Sequence, residues 1–292
     1  MKRLACGVVM GSMALAMAHG ATIRYHGSGS WDKLEGVGQT EGWQSATPPG
    51  PADTVRANWG GNTVTLDYET SVGRFQIGVD ESGTFHVLNG GTLHAASGNK
   101  VGNNNNCTGT LLIDAGGTVN ANGGWMMIAG SDLVTGIAEV SGTLDIEGHL
   151  WMATGSGSSA SLTINPGGVV NVGANIGLGT IAPATAPTGG PATITVNMSG
   201  TLNLHHWDNT GSIRDGSVLN INQGGVVTIG GNRVSAANDY FAAGKIASDL
   251  GAIEATFNPG ADLTTIIAVP EPATLGLLGA FGAIGLLRRR RS

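Results

Sequence analysis

This sequence is short of charge, of cysteine and of catalytic signatures. Only 12% of its 292 residues are charged. Six of the 14 basic residues are Lys2, Arg3 and Arg288 to Arg291, and one of the 20 acidic residues is Glu271. The stretch between the ends is left with 8 basic and 19 acidic residues, a formal balance of −11. Binding nucleic acid needs a cationic footprint, so that partner is excluded. Cysteine occurs twice, and Cys6 falls in a leader that is removed on export. Cys107 then stands alone, which excludes an internal disulfide and makes it a small core or corner residue. No Walker or dinucleotide motif sits between a strand and a helix, and the calcium-binding nonapeptide of RTX rolls is absent. No cofactor or metal is expected.

Glycine is what the chain has in excess, with 50 residues. Much of it belongs to one phrase, seen as Gly-Gly-Thr-Val-Asn-Ala at Gly116 to Ala121, which also opens at Gly90, Ser141, Gly167, Ser199 and Gly224. Its second glycines, Gly91, Gly117, Gly142, Gly168, Gly200 and Gly225, are 26, 25, 26, 32 and 25 residues apart. So regular a step marks a repeat architecture. After each pair, apolar residues (Leu93, Val119, Leu144, Val170, Leu202, Val227) alternate with polar ones (His94, Asn120, Asp145, Asn171, Asn203, Thr228). This is the period of a strand with one wet face. Upstream, Val87, Ile113, Ala138, Ile164, Val196 and Ile221 form a second apolar column, with Leu88, Asp114, Glu139, Asn165, Asn197 and Asn222 beside it. Met126 to Gly130, Trp151 to Gly155 and Ile176 to Gly179 supply a third short segment.

Three short strands per repeat fit one coil of a parallel solenoid whose coils stack about 4.8 Å apart. The expectation is an all-β, right-handed parallel β-helix of about six to seven coils with a period of about 25 residues and small terminal caps. Glycines supply the positive φ angles of the corners. The solenoid is expected over 62–232, with a tryptophan-rich N-terminal cap over 21–61 and a C-terminal cap and stalk over 233–268. The long step comes from a Pro/Ala/Thr/Gly loop, Ala182 to Pro191.

Residues 1–20 read as a secretory signal, with Lys2 and Arg3 before an apolar stretch and cleavage near Ala18 or Gly20. At the other end, Pro270-Glu271-Pro272 leads into an apolar run over 275–287, a C-terminal transmembrane helix in this reading, and then Arg288, Arg289, Arg290 and Arg291. As a helix the run would reach only about 20–24 Å, short of a hydrocarbon core of about 30 Å. The arginines would stay on the cytoplasmic side. A short, weak anchor of this kind suits transient sorting.

The order of tripeptide, apolar helix and arginine cluster over 269–292 resembles the PEP-CTERM sorting signal of Gram-negative bacteria. The resemblance implies export through the secretion translocon, a transient stay in the inner membrane and processing by an exosortase. Delivery to the cell surface or beyond would follow. Near the N-terminus, Gly29-Ser30-Trp31-Asp32, Gly42-Trp43 and Pro51 to Val55 resemble the opening segment of autotransporter-like and pectin-lyase-like β-solenoids. Such scaffolds also carry polysaccharide lyases and hydrolases, but the coils offer little for that chemistry. Lys100, Arg214 and Arg233 are the cations apart from histidine, and Asp114, Glu139, Asp145 and Glu147 read as an outward, solvated ladder. His205-His206-Trp207-Asp208 is the densest cluster of reactive types, yet adjacent histidines on a strand point to opposite faces. The expectation is therefore no enzyme, no catalytic residues and no metal site. The protein reads as a structural or adhesive solenoid of the surface or matrix. The alternatives are a polysaccharide-binding module in which outward Trp151 and Trp207 stack on an extracellular polysaccharide and, less favoured, a polysaccharide lyase or hydrolase on the β-helix scaffold.

Overall fold

The computed structural model describes residues 21–33, 42–45, 47–57, 60–96, 98–104, 106–179, 189–207 and 213–271. The signal read over 1–20, residues 180–188, and the apolar run and arginines of the tail lie outside the described residues. Strands form three sheets that wind round one apolar interior. The second sheet shows the pattern best. Asn62–Leu66, Gly83–Val87, Thr108–Ile113, Thr135–Val140, Ser159–Ile164, Ala192–Val196 and Val218–Ile221 lie side by side, each parallel to the next. The first sheet runs from Thr22–His26 to Ile176–Leu178, and the third from Glu69–Val72 to Val226–Gly230. A strand from each sheet makes one turn, and six turns are complete. The body is a parallel β-solenoid.

Its stability comes from columns. Leu93, Val119, Leu144, Val170, Leu202 and Val227 are in register from turn to turn, and all are fully buried. Each contributes roughly 1.5–3 kcal/mol by leaving water. A single turn has nothing to bury against, so each turn is held by its neighbours. In the neighbouring column the third turn is not held by Ala138. The pairing runs Val87, Ile113, Val140, Ile164, Val196, Ile221, and Ala138 sits one pair back, opposite Leu111 and Leu162. The corner after Val140 is only Ser141-Gly142, where its neighbours use four residues, so counting back from the glycine overshoots by one pleat. For the same reason Ser141, not Glu139, takes the turn position, where its hydroxyl receives Asn165 Nδ2 at 3.1 Å.

The paired glycines serve two needs. The first is left-handed, with φ of 82° at Gly116 and 79° at Gly167. The second is absent from that region and is required for space. A Cβ on Gly117 would lie 2.9 Å from the carbonyl oxygens of Leu88 and Val87 on the turn below. Backbone meets backbone there, and only glycine fits.

Both ends of the stack are closed by antiparallel pairing. Gly42–Trp43 turns back on Thr22–His26, which itself lies parallel to Thr54–Ala57. The tryptophan-rich segment thus contributes strands to the first sheet before residue 62. Trp31 and Trp43 are fully buried, 4.7 Å apart and edge-on, with Trp31 also 5.0 Å from Phe85. Trp43 Nε1 donates to the Trp31 carbonyl at 2.6 Å. These rings fill the open mouth of the first turn. At the far end, helix Val234–Ala242 sets Ala237 and Tyr240 against the interior. The hairpin Gly251–Asn258 with Leu263–Pro270 then pairs antiparallel with Val226–Gly230. The stalk expected over 233–268 is instead part of the folded body, since Ile266 and Thr264 are fully buried. Exposed parallel edges invite pairing between chains, and the turned-back strands cover the N-terminal edge of the first sheet and the C-terminal edge of the third.

Candidate functional site

The outward face of the third sheet places the acids and asparagines of the repeat in one row: Ser71, His94, Asn120, Asp145, Asn171, Asn203, Thr228. They bond along the stack. Glu69 meets His94 Nε2 at 3.2 Å, and Asn120 meets its other ring nitrogen at 3.2 Å. Asn171 Nδ2 donates to Asp145, Asn203 Nδ2 to Asn171 at 2.7 Å, and Thr228 Oγ1 to Asn203 at 2.6 Å. Glu147 accepts the Gly123 amide at 2.6 Å, and Asp114 pairs with His86 at 2.9 Å. Each of these carboxylates is spent on a neighbouring turn.

The coils hold more cations than the three read from the sequence, because Arg56 and Arg74 lie on strands of the first sheet. Arg24 and Arg56 meet Asp80 at 3.1 and 3.6 Å. Lys100 stands 5.8 Å from the centre of the Trp125 ring, and burial, then the charge of Arg74, pull its pKa down.

Trp151 and Trp207 do not offer free rings. Trp151 points outward in the strand alternation, yet it is 7% exposed and stacks on His149 at 5.0 Å. Its partner on the next turn is Gly177, which has no side chain to hold the ring away. Trp207 is 2% exposed and lies flat on Tyr240 at 5.2 Å. It is a packing residue of the C-terminal cap.

His205 and His206 follow the strand Thr201–Leu204, and both are exposed beyond its end. Asp208 lies outside the described residues. The two histidines line an open cleft of about 490 Å³ with Arg233, Asp262 and Leu263. Arg233 comes from the start of the helix and Asp262 from the hairpin turn, so only the fold brings them to the histidines. Among the described residues, no group of three or more His, Cys, Asp or Glu could hold a metal.

The most specific chemistry lies where the hairpin ends. Pro270 closes the last strand opposite Gly251, and the Glu271 amide donates to the Leu250 carbonyl at 3.2 Å. Residues 268–291 match the PEP-CTERM protein-sorting motif. The tail is a PEP-CTERM sorting signal. Such signals are processed by an exosortase, so the protein is an exported, exosortase-sorted β-solenoid. No curated protein and no solved structure matches the chain. The autotransporter-like and pectin-lyase-like label therefore gains no support. Among the described residues no helix is long and apolar enough to cross a membrane, and the anchor read over 275–287 lies outside them.

Proposed function

We propose that the protein is a non-catalytic structural rod of the cell surface or extracellular matrix, a stiff spacer or adhesive element delivered by its PEP-CTERM signal. One observation carries this reading: six turns stack in unbroken register, with interior columns apolar and outward polar groups bonded to one another. Such a body resists bending and leaves its carboxylates no catalytic pairing. Cells lacking the protein should lose surface attachment or matrix cohesion. A chain carrying Asp145→Asn and His206→Ala should restore it fully, since asparagine continues the ladder and His206 lies at the rim. Release of sugar product by the purified protein, lost in that variant, would sink the rod reading in favour of an enzyme.

A second reading rests on the cleft of His205, His206 and Arg233, whose cationic and imidazole groups outnumber Asp262. It would hold an acidic extracellular polysaccharide. Retention on an immobilised polyuronate, lost in Arg233→Ala but kept in Trp151→Phe, is the expected behaviour; retention indifferent to Arg233 would remove it.

A further inference from the structure

The sorting motif does not hang from a flexible stalk. Its first residues are the last residues of a strand, and this limits where a peptidase can act. Peptide substrates are commonly gripped as extended strands through their main-chain groups. In the strand Leu263–Pro270, residues 263–267 are paired on both sides, with Val226–Gly230 on one edge and Gly251–Asn258 on the other. From Ala268 to Pro270 the strand still pairs with Ile253, Ala252 and Gly251. Side chains lock it further. Ile266 is fully buried and Ala268 nearly so. Thr264 Oγ1 donates to the Gly231 carbonyl at 2.7 Å and accepts the Arg233 amide at 2.7 Å. The last tie is the Glu271 amide on Leu250. The Glu271 side chain occupies space that Gly251 leaves open, where a Cβ would come within 2.5 Å of its Oε1.

We propose that the processing cut falls on the C-terminal side of Glu271, so that Val269 and Pro270 remain in the mature chain as the closing residues of its cap. The inference rests on exosortase processing of the PEP-CTERM signal. Every bond of the strand from Leu263 to Pro270 is held in a ladder that must open before a peptidase can seat it, whereas Pro270 and Glu271 are exposed on the surface. The folded cap thereby acts as a stop that protects the solenoid from its own processing enzyme.

Intact-mass analysis of the protein recovered from its native cells is the test. A single mature species ending at Glu271 or beyond is expected. A species ending at or before Pro270 overturns the inference while leaving processing intact. A chain that keeps Arg288 to Arg291 in the inner membrane overturns the processing reading itself, and the inference with it. Ile266→Ser adds a second arm, because it loosens the hairpin without touching the motif. It should yield additional, shorter species ending upstream of Pro270. An unchanged end in that variant, with the hairpin shown loosened by added protease, leaves the ladder no part in placing the cut.

Discussion

Neighbouring glycines in one corner should respond very differently to the same added methyl group. Gly167 and Gly168 both precede the strand Val169–Val172. At Gly167 the φ angle is 79° and a Cβ would meet nothing within 4 Å, so alanine there is charged only for left-handed backbone. That costs roughly 1–2 kcal/mol, offset in part by the lost freedom of the unfolded chain, for a net of about 1 kcal/mol. At Gly168 a Cβ would overlap the Val140 carbonyl oxygen, and it would also lie 3.0 Å from the Val140 carbon and 3.1 Å from the Asn165 oxygen. The Val140 oxygen cannot swing aside freely, because it accepts the Asn165 amide at 2.8 Å. Overpacking of about 2–3 kcal/mol plus a weakened hydrogen bond of about 1 kcal/mol puts Gly168→Ala near 3–4 kcal/mol. The gap of about 2–3 kcal/mol corresponds to a difference of about 4–12 °C in melting midpoint for a body of this size. Thermal unfolding of the two variants, followed by far-ultraviolet circular dichroism, reads it directly. Equal midpoints, or Gly167→Ala melting lower, would refute the claim that close approach rather than φ dictates the second glycine.

Other outcomes follow from the same geometry. Asn171→Ala breaks the ladder on both sides, at Asp145 and Asn203, and should lower stability in urea by about 1–2 kcal/mol; no measurable loss would make the ladder ornamental. Phe85→Ala empties the ring cluster under Trp31 and should cost about 3–5 kcal/mol, with fraying confined to the N-terminal turns by hydrogen exchange. Burial, then the charges of Asp80 and Glu81, push the Cys107 thiol above its usual 9.0. Since the thiolate is the reactive form, alkylation of the folded protein should rise at higher pH than that of the urea-unfolded chain. Coincident pH profiles would contradict this.

The inside of this molecule is legible in its text. Leu93, Val119 and Leu144 are buried because strict alternation puts them on one face and the repeat brings those faces into register. The tail is equally legible, since Pro270-Glu271-Pro272 and its flanks form a local motif in the linear sequence. What covers an outward residue is not. Trp151 stands at an outward position like any other, and only the glycine opposite it and the stacked His149 put its ring under cover. Corner length escapes as well: Ser141-Gly142 closes in two residues what Asp114 to Gly117 closes in four, and the pleat shifts accordingly.

Strand direction is the deepest omission. Alternation of period two looks the same in a parallel or an antiparallel strand, so the cap and stalk read over 233–268 leaves open that Leu263–Pro270 pairs antiparallel with the third sheet. The repeat by itself determined the solenoid and its apolar columns, and the tail motif determined the sorting signal, because those depend on local period and local motif. The caps, the cleft at His205 and Arg233, and the anchoring of the sorting tripeptide were decided only by tertiary structure. They join residues remote in the chain, and the free energy that selects them comes from closing an open edge that no single segment contains.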